Sequence, residues 1–282
     1  MTQTPTPIPP GVPQDPELRE RYLLDAERAR QDKRSESARM AAEVPPSRTP
    51  SGPIWVVAAL VSLVLVVGTG AALAGPMLRQ SEATERPLPV ALSRVEVGNG
   101  TGDVRVRVAE PGERPAVTST VEWGLRRPTT RIDVSGSTAA LHGECPNGFI
   151  TVCSTDWLVV VPAGTAIDIS QGLGGVTVEG PRGELDIEAG VGDIEITEAQ
   201  SQQIDVRTGV GSVRIESVEP PQVLQASVGV GDLTARLPGT ATYDMDTDVG
   251  TGEVSNTLGS TPGADHRAHL EVGVGEMNVA GS

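Results

Sequence analysis

Between Leu185 and Ile196 the chain reads LDIEAGVGDIEI. Apolar and polar residues alternate in two short runs, Leu185-Asp186-Ile187 and Ile194-Glu195-Ile196. Strict alternation is the signature of a half-buried strand. The runs are hinged on Gly190-Val191-Gly192-Asp193, and two glycines around one residue suit a tight bend, because glycine accepts positive φ at no steric cost. The unit predicts strand, corner, strand.

The pattern recurs seven times, as VEVGNGTGDVRV, IDISQGLGGVTV, LDIEAGVGDIEI, IDVRTGVGSVRI, LQASVGVGDLTA, MDTDVGTGEVSN and AHLEVGVGEMNV. Its turn glycines pair as Gly100 with Gly102, Gly172 with Gly174, Gly190 with Gly192, and Gly209 with Gly211. The remaining pairs are Gly229 with Gly231, Gly250 with Gly252, and Gly273 with Gly275. From Gly172 the leading glycines stand 18, 19, 20, 21 and 23 residues apart. Five residues before each leading glycine lies an apolar column: Val95, Ile167, Leu185, Ile204, Leu224, Met245 and Ala268. Four residues after it lies another: Val104, Val176, Ile194, Val213, Leu233, Val254 and Met277. A period near 20 residues means stacked supersecondary units, so the fold predicted is all-β, a stacked, solenoid-like β-repeat domain.

Ahead of the repeats, Ile54 to Ala74 carries no charge over 21 residues. That length crosses a hydrocarbon core as a helix, so one transmembrane span is expected within 54–76, with Trp55 at an interface. With 53 residues before it, the segment is not a signal peptide. The tail, 1–53, is expected to be disordered apart from a short helix near 15–42 opened by Asp15 and Pro16. Residues 77–90 read as a stalk and 91–282 as the β-repeat domain. Arginines flank the span equally, Arg34, Arg39 and Arg48 against Arg79, Arg86 and Arg94, so charge does not orient it.

Charge changes the picture on one side only. Residues 1–53 hold eight basic and eight acidic side chains, so the net charge of −15 belongs to the C-terminal part. That excludes nucleic acid and anionic lipid as ready partners and leaves cations or basic proteins. Aromatic residues make up 2% of the chain, which suits a narrow core of Val, Ile, Leu and Ala ladders.

Cys145 and Cys153 are the only cysteines, in ECPNGFITVC. Their spacing fits neither a zinc ribbon nor a C-x-x-C redox pair, and a loop-closing disulfide is expected, which implies an oxidising compartment. The residues leave two free, buried thiols open as the alternative. The disulfide places the β domain outside the membrane and the 53-residue tail inside. The insert 109–161 between the first two repeats predicts strands at AVTSTVEW, TRIDVS, TAALHG, FITVC and WLVVVP. Trp123, Trp157 and Phe149 lie in it, and it is expected to cap or thicken the first end of the stack.

Candidate chemistry is thin. No Gly-x-Gly is followed by the third glycine and helix of a dinucleotide site. The acids after the second glycine (Asp103, Asp193, Asp232, Glu253, Glu276) lack the nine-residue period of calcium repeats, and they read as solubilising, edge-protecting turn residues. His142, His266 and His269 have no nucleophile beside them in sequence. No catalytic residue, cofactor or metal is expected, and the chain reads as a non-enzyme.

The iterated GVGDIEI strands, the preceding WLVVVPAGTAIDIS segment with its two cysteines, and the lone apolar segment resemble a bacterial family. These are β-strand-repeat proteins described as putative adhesins, or toastrack-like. The resemblance covers about 91–282, and the Arg-, Ala-, Gly- and Val-rich composition with one lysine, Lys33, looks actinobacterial. It implies a single-pass cell-membrane protein with an extracytoplasmic domain, an adhesin or envelope scaffold meeting a protein or wall component through its acidic β face. The alternative is an envelope-stress sensor signalling through its cytoplasmic tail.

Overall fold

The computed structural model describes residues 16–43, 62, 80–146 and 153–282, which fall in two units divided between Thr69 and Gly70. The first contains one helix, α1 (Pro16–Glu43), rich in Leu, Glu, Arg and Ala and opened by a proline, which costs nothing at a first helical position. The span expected at 54–76 lies outside the described residues, apart from Ser62. Among the described residues no helix is long and apolar enough to cross a membrane.

The second unit is all β, in two sheets that share one core. Its first elements are β1 (Gln80–Pro87), β2 (Arg94–Thr101) and β3 (Val104–Val108). The insert supplies β4 (Ala116–Trp123), β5 (Thr129–Ser135), β6 (Thr138–Glu144) and β7 (Cys153–Val161). Then come β8 (Ala166–Leu173), β9 (Val176–Glu179), β10 (Leu185–Val191) and β11 (Ile194–Ala199). They are followed by β12 (Gln203–Val210), β13 (Val213–Ser217), β14 (Val223–Val230) and β15 (Leu233–Leu237). The chain closes with β16 (Tyr243–Thr251), β17 (Val254–Asn256), β18 (His266–Val274) and β19 (Met277–Gly281).

Each repeat forms one coil, its first strand in the nine-stranded sheet and its second in the ten-stranded sheet. Neighbouring coils pair in parallel and in register. Leu185 lies opposite Ile167 and Ile204, and Ile194 opposite Val176 and Val213. The two apolar columns therefore face each other across the interior, and Leu185, Ile187, Ile194 and Ile196 are at most 1% exposed. A side-chain period of two fixes this register, because a one-residue slip would turn every aliphatic outward.

The corner within each of the seven repeats is invariant and the path between them is not. Nine residues separate Ile167 from Val176, Leu185 from Ile194 and Ala268 from Met277. The return paths lengthen along the chain: nine residues from Val176 to Leu185, ten from Ile194 to Ile204, fourteen from Val254 to Ala268. The drifting period thus comes from the return loops alone.

Two features depart from expectation, and a third fills it out. Gln80–Pro87, expected within a stalk, is the edge strand of the larger sheet, antiparallel to β4 from Gln80 opposite Trp123 to Pro87 opposite Ala116. The insert thickens the first end of the stack as well as capping it. β6 and β7 form an eighth coil, with Ala139 opposite Val95 and Trp157 opposite Val104, and the antiparallel strands β5, β4 and β1 close the stack beyond it. Finally, the coils do not follow chain order. In space they run β6/β7, β2/β3, β8/β9, β10/β11, β12/β13, β14/β15, β18/β19, β16/β17. The last repeat of the sequence sits between the two before it.

Candidate functional site: the glycine corners and the acidic face

The corner tightens to two residues. β10 runs through Gly190 and Val191, leaving Gly192 and Asp193 as the turn, and the other six repeats do likewise. The two glycines of a pair therefore have different reasons to be glycine. Gly192 has φ +153°, a conformation L side chains rarely adopt, and a Cβ there would also strike the Gly174 carbonyl. Gly190 has no such backbone, but its Cβ would lie 2.7 Å from Gly172 O. The contacts repeat along the stack in spatial order, Gly273 against Gly229 and Gly250 against Gly273, so the fourteen glycines make two columns of touching backbone.

Close approach serves hydrogen bonding. Gly192 N–H donates to Val210 O at 2.9 Å, Gly211 N–H to Val230 O at 3.0 Å, and Ile194 N–H to Ser212 O at 2.9 Å, so the inter-coil ladder continues through the bend. What remains is the amide of the residue following the second glycine, and here the acids act. Asp193 Oδ1 accepts the Ser212 N–H at 2.8 Å, Asp103 Oδ1 the Gly175 N–H at 2.9 Å, and Asp232 Oδ1 the Glu276 N–H at 3.0 Å. Asp156, in the eighth coil, does the same for the Asp103 N–H at 2.8 Å. Of the acids read from sequence as solubilising, Asp103, Asp193 and Asp232 are thus also backbone acceptors. Gly175 and Ser212 occupy the equivalent position on the coils between them.

Cys145 and Cys153 form the disulfide, Cα atoms 5.9 Å apart, and no described cysteine is free. The bond closes the eighth coil's own corner, where eighteen residues separate Ala139 from Trp157 instead of nine. Residues 147–152 inside that corner, with the expected strand FITVC up to Val152 and Phe149, lie outside the described residues. Trp157 faces inward and is 2% exposed, filling the end of the core. Trp123 is half-buried, with the Arg127 guanidinium 5.1 Å from its ring centroid.

The outer face of the nine-stranded sheet carries an acidic ladder. Glu96, Asp168, Asp186 and Asp205 stand on successive rungs, followed by Gln225, His269 and Asp246. Like charges on neighbouring strands repel. Burial, together with the carboxylates of Asp186 and Glu96, raises the pKa of Asp168 above the ordinary range, with Arg94 opposing. In the turn after β3, the paired Arg107 guanidinium and the Glu110 amide hold Glu113 down at about 2.

The histidines do not assemble a reaction centre. His266 Nδ1 donates to Pro221 O at 2.8 Å, His269 Nδ1 lies 3.1 Å from Asp246 Oδ2, and His142 stands at the other end of the stack on β6. Among the described residues, no three His, Cys, Asp or Glu side chains converge as a metal-binding set. What the geometry offers is repetition: columns of like side chains at the inter-strand spacing of about 4.8 Å.

No protein-family model matches the sequence, and no curated protein matches it. Solved structures do show similarity. One is a putative cell adhesion protein from Clostridium sporogenes, 14% identical, covering 72% of this chain and 100% of that one, with a TM-score of 0.44. Another is a putative adhesin from Bacteroides fragilis, also 14% identical, covering 71% and 97%, with a TM-score of 0.42. A third is a putative lipid binding protein from Parabacteroides distasonis, 11% identical, covering 72% and 97%, with a TM-score of 0.34.

Proposed function

We propose that the chain is a non-enzymatic, membrane-anchored protein of the cell envelope, a surface scaffold or adhesin whose β stack is held outside the membrane. One observation carries this reading: the eight-coil stack presents repeated columns of side chains along its length and no converging centre among the described residues. Columns of this kind suit a long, shallow contact with another macromolecule. The Cys145–Cys153 bond supports an oxidising location, because disulfides are rare in reducing compartments. The uncharged run Ile54–Ala74 supplies the anchor in this reading.

Protease shaving of intact cells tests the placement. The domain at 91–282 should be cut while 1–53 stays protected. A domain reached only after lysis would refute it. Cross-linking pull-down from the same cells, with the full chain and with 1–44 deleted, tests the role. Partners that survive the deletion support the scaffold, and partners lost with the tail would transfer the function to signalling.

A further inference from the structure

One column is apolar and exposed. The residue between the two glycines of each corner projects from the bend, and in spatial order these are Thr101, Leu173, Val191, Val210, Val230, Val274 and Thr251. The five aliphatics are each 46% to 51% exposed and consecutive, with a threonine at either end. Core packing does not explain them, since threonine occupies the same corner position in two coils. They form a straight ridge about 19 Å long at the usual strand spacing.

Exposed acids border the ridge. On the side of the ten-stranded sheet stand Asp103, Asp193, Asp232, Glu276 and Glu253; on the other, Glu188, Glu271 and Asp248 outnumber Arg207. We propose that this ridge docks a basic amphipathic helix of a partner protein, lying along the stack axis with its apolar stripe on the five aliphatics and its Lys or Arg residues over the acid rows.

Spacing and charge choose that occupant. A helix repeats an apolar stripe every turn, about 5.4 Å, so over five rungs it drifts from the ridge by only about 2–3 Å. An extended strand repeats one face every ~6.6 Å and loses register within two rungs. A second copy of this chain, or an anionic membrane, would set negative charge against the acid rows. The apolar area is on the order of a few hundred Å², well below the roughly 800 Å² per partner of a standard stable interface. The contact should therefore be weak and salt-sensitive, strengthened when several molecules engage together. The inference holds whether or not the domain is displayed as proposed above.

The test uses the full chain in zwitterionic nanodiscs, with the signal from empty discs subtracted. The probe is a synthetic helix bearing leucine every third or fourth residue and lysine on both flanks. Its controls carry alanine for leucine, or glutamate for lysine. The fourfold variant Val191→Thr, Val210→Thr, Val230→Thr, Val274→Thr leaves the charge unchanged. It should bind the lysine probe at least tenfold more weakly at an unaltered melting temperature, and wild type should bind neither control. If the fourfold variant melts early, the pair Val210→Thr, Val230→Thr should still lose at least threefold. Binding of the unperturbed variant within twofold of wild type would overturn the proposal, leaving only diffuse charge attraction. Sedimentation that reveals a wild-type dimer absent from the variant would also overturn it, assigning the ridge to a second copy.

Discussion

Three glycine-to-alanine substitutions separate backbone strain from steric conflict at the corner. Gly180 has φ +65° and nothing within 4 Å of the place a Cβ would take, so Gly180→Ala meets strain alone. That should cost about 1 kcal/mol, from a left-handed penalty of ~1–2 kcal/mol eased by the lower entropy of the unfolded chain. Gly190→Ala keeps an ordinary backbone and meets Gly172 O at 2.7 Å, a conflict with main chain that cannot rotate away. Gly192→Ala meets both, at φ +153° and against the Gly174 carbonyl. Strain of ~1–3 kcal/mol adds to displacement of the Gly192 N–H to Val210 O bond, giving about 3–4 kcal/mol in all. For a domain of this size that corresponds to a fall in melting temperature of roughly 6–16 °C, against roughly 2–4 °C for Gly180→Ala. Thermal melts of the full chain in mild detergent, followed by far-UV circular dichroism, would measure both. A Gly192→Ala protein melting with Gly180→Ala would refute the account of the corner as touching backbone.

Ile194 is 1% exposed, so Ile194→Asp should cost about 4 kcal/mol or more by burying an unpaired charge, whereas Glu195→Ala on the outer face should leave the urea midpoint unchanged. Asp193→Ala removes the acceptor of the Ser212 amide and should cost about 1 kcal/mol; Asp193→Asn, which keeps an oxygen there, should recover most of it in the same titration. Replacing Cys145 and Cys153 together by serine should cost about 2–3 kcal/mol by the chain-entropy account, with hydrogen exchange rising first in β6 and β7. Asp168 has a raised pKa when folded, so the native state holds its proton more tightly than the unfolded chain. Its contribution therefore worsens as pH rises from the normal carboxylate range through the raised value, and is fully unfavourable at neutrality. Asp168→Asn should raise the melting temperature at pH 7, with the gain fading toward pH 3; an equal gain at both pH values would contradict this.

Much of the stack is legible in the sequence because its two strongest constraints are local. Alternation assigns each inward residue, and the constant nine-residue step across the corner aligns Val95, Ile167, Leu185 and their successors without knowledge of pairing. Other features are not written locally. The eighth coil escapes because its corner spans eighteen residues from Ala139 to Trp157 and has no Gly-x-Gly, the disulfide standing in place of the tight turn. β1 escapes because QSEATERP contributes almost nothing to the core and is held by main-chain pairing with β4, which leaves no apolar pattern. The acceptor role of Asp193 depends on an amide nineteen residues away. The ridge is visible as five aliphatics between glycines, but its exposure follows from corner geometry and not from alternation: Val191 is in phase with the buried Leu185, Ile187 and Ala189.

The coil order bears on how the stack ends. An outermost coil presents unpaired amides and carbonyls, and a long connection beside it can cover some of them. At one end, β16/β17 lies outside the final repeat, and its return loop covers part of the β16 edge. Thr261 N–H donates to Tyr243 O, and Ser260 Oγ both accepts the Met245 N–H and donates to Met245 O. Asn256 Oδ1 takes the Leu258 and Gly259 amides, ending β17 after three residues. Asp244, Asp246 and Asp248 then place like charges along β16, so that pairing with another copy of itself is repelled. At the other end β6/β7 lies outside the first repeat; antiparallel β5 from the same insert finishes the nine-stranded sheet, and β4 followed by β1, from ahead of the first repeat, finishes the ten-stranded sheet. The flanks of the stack offer further surfaces for association, where the acid ladder and the apolar corner ridge run side by side.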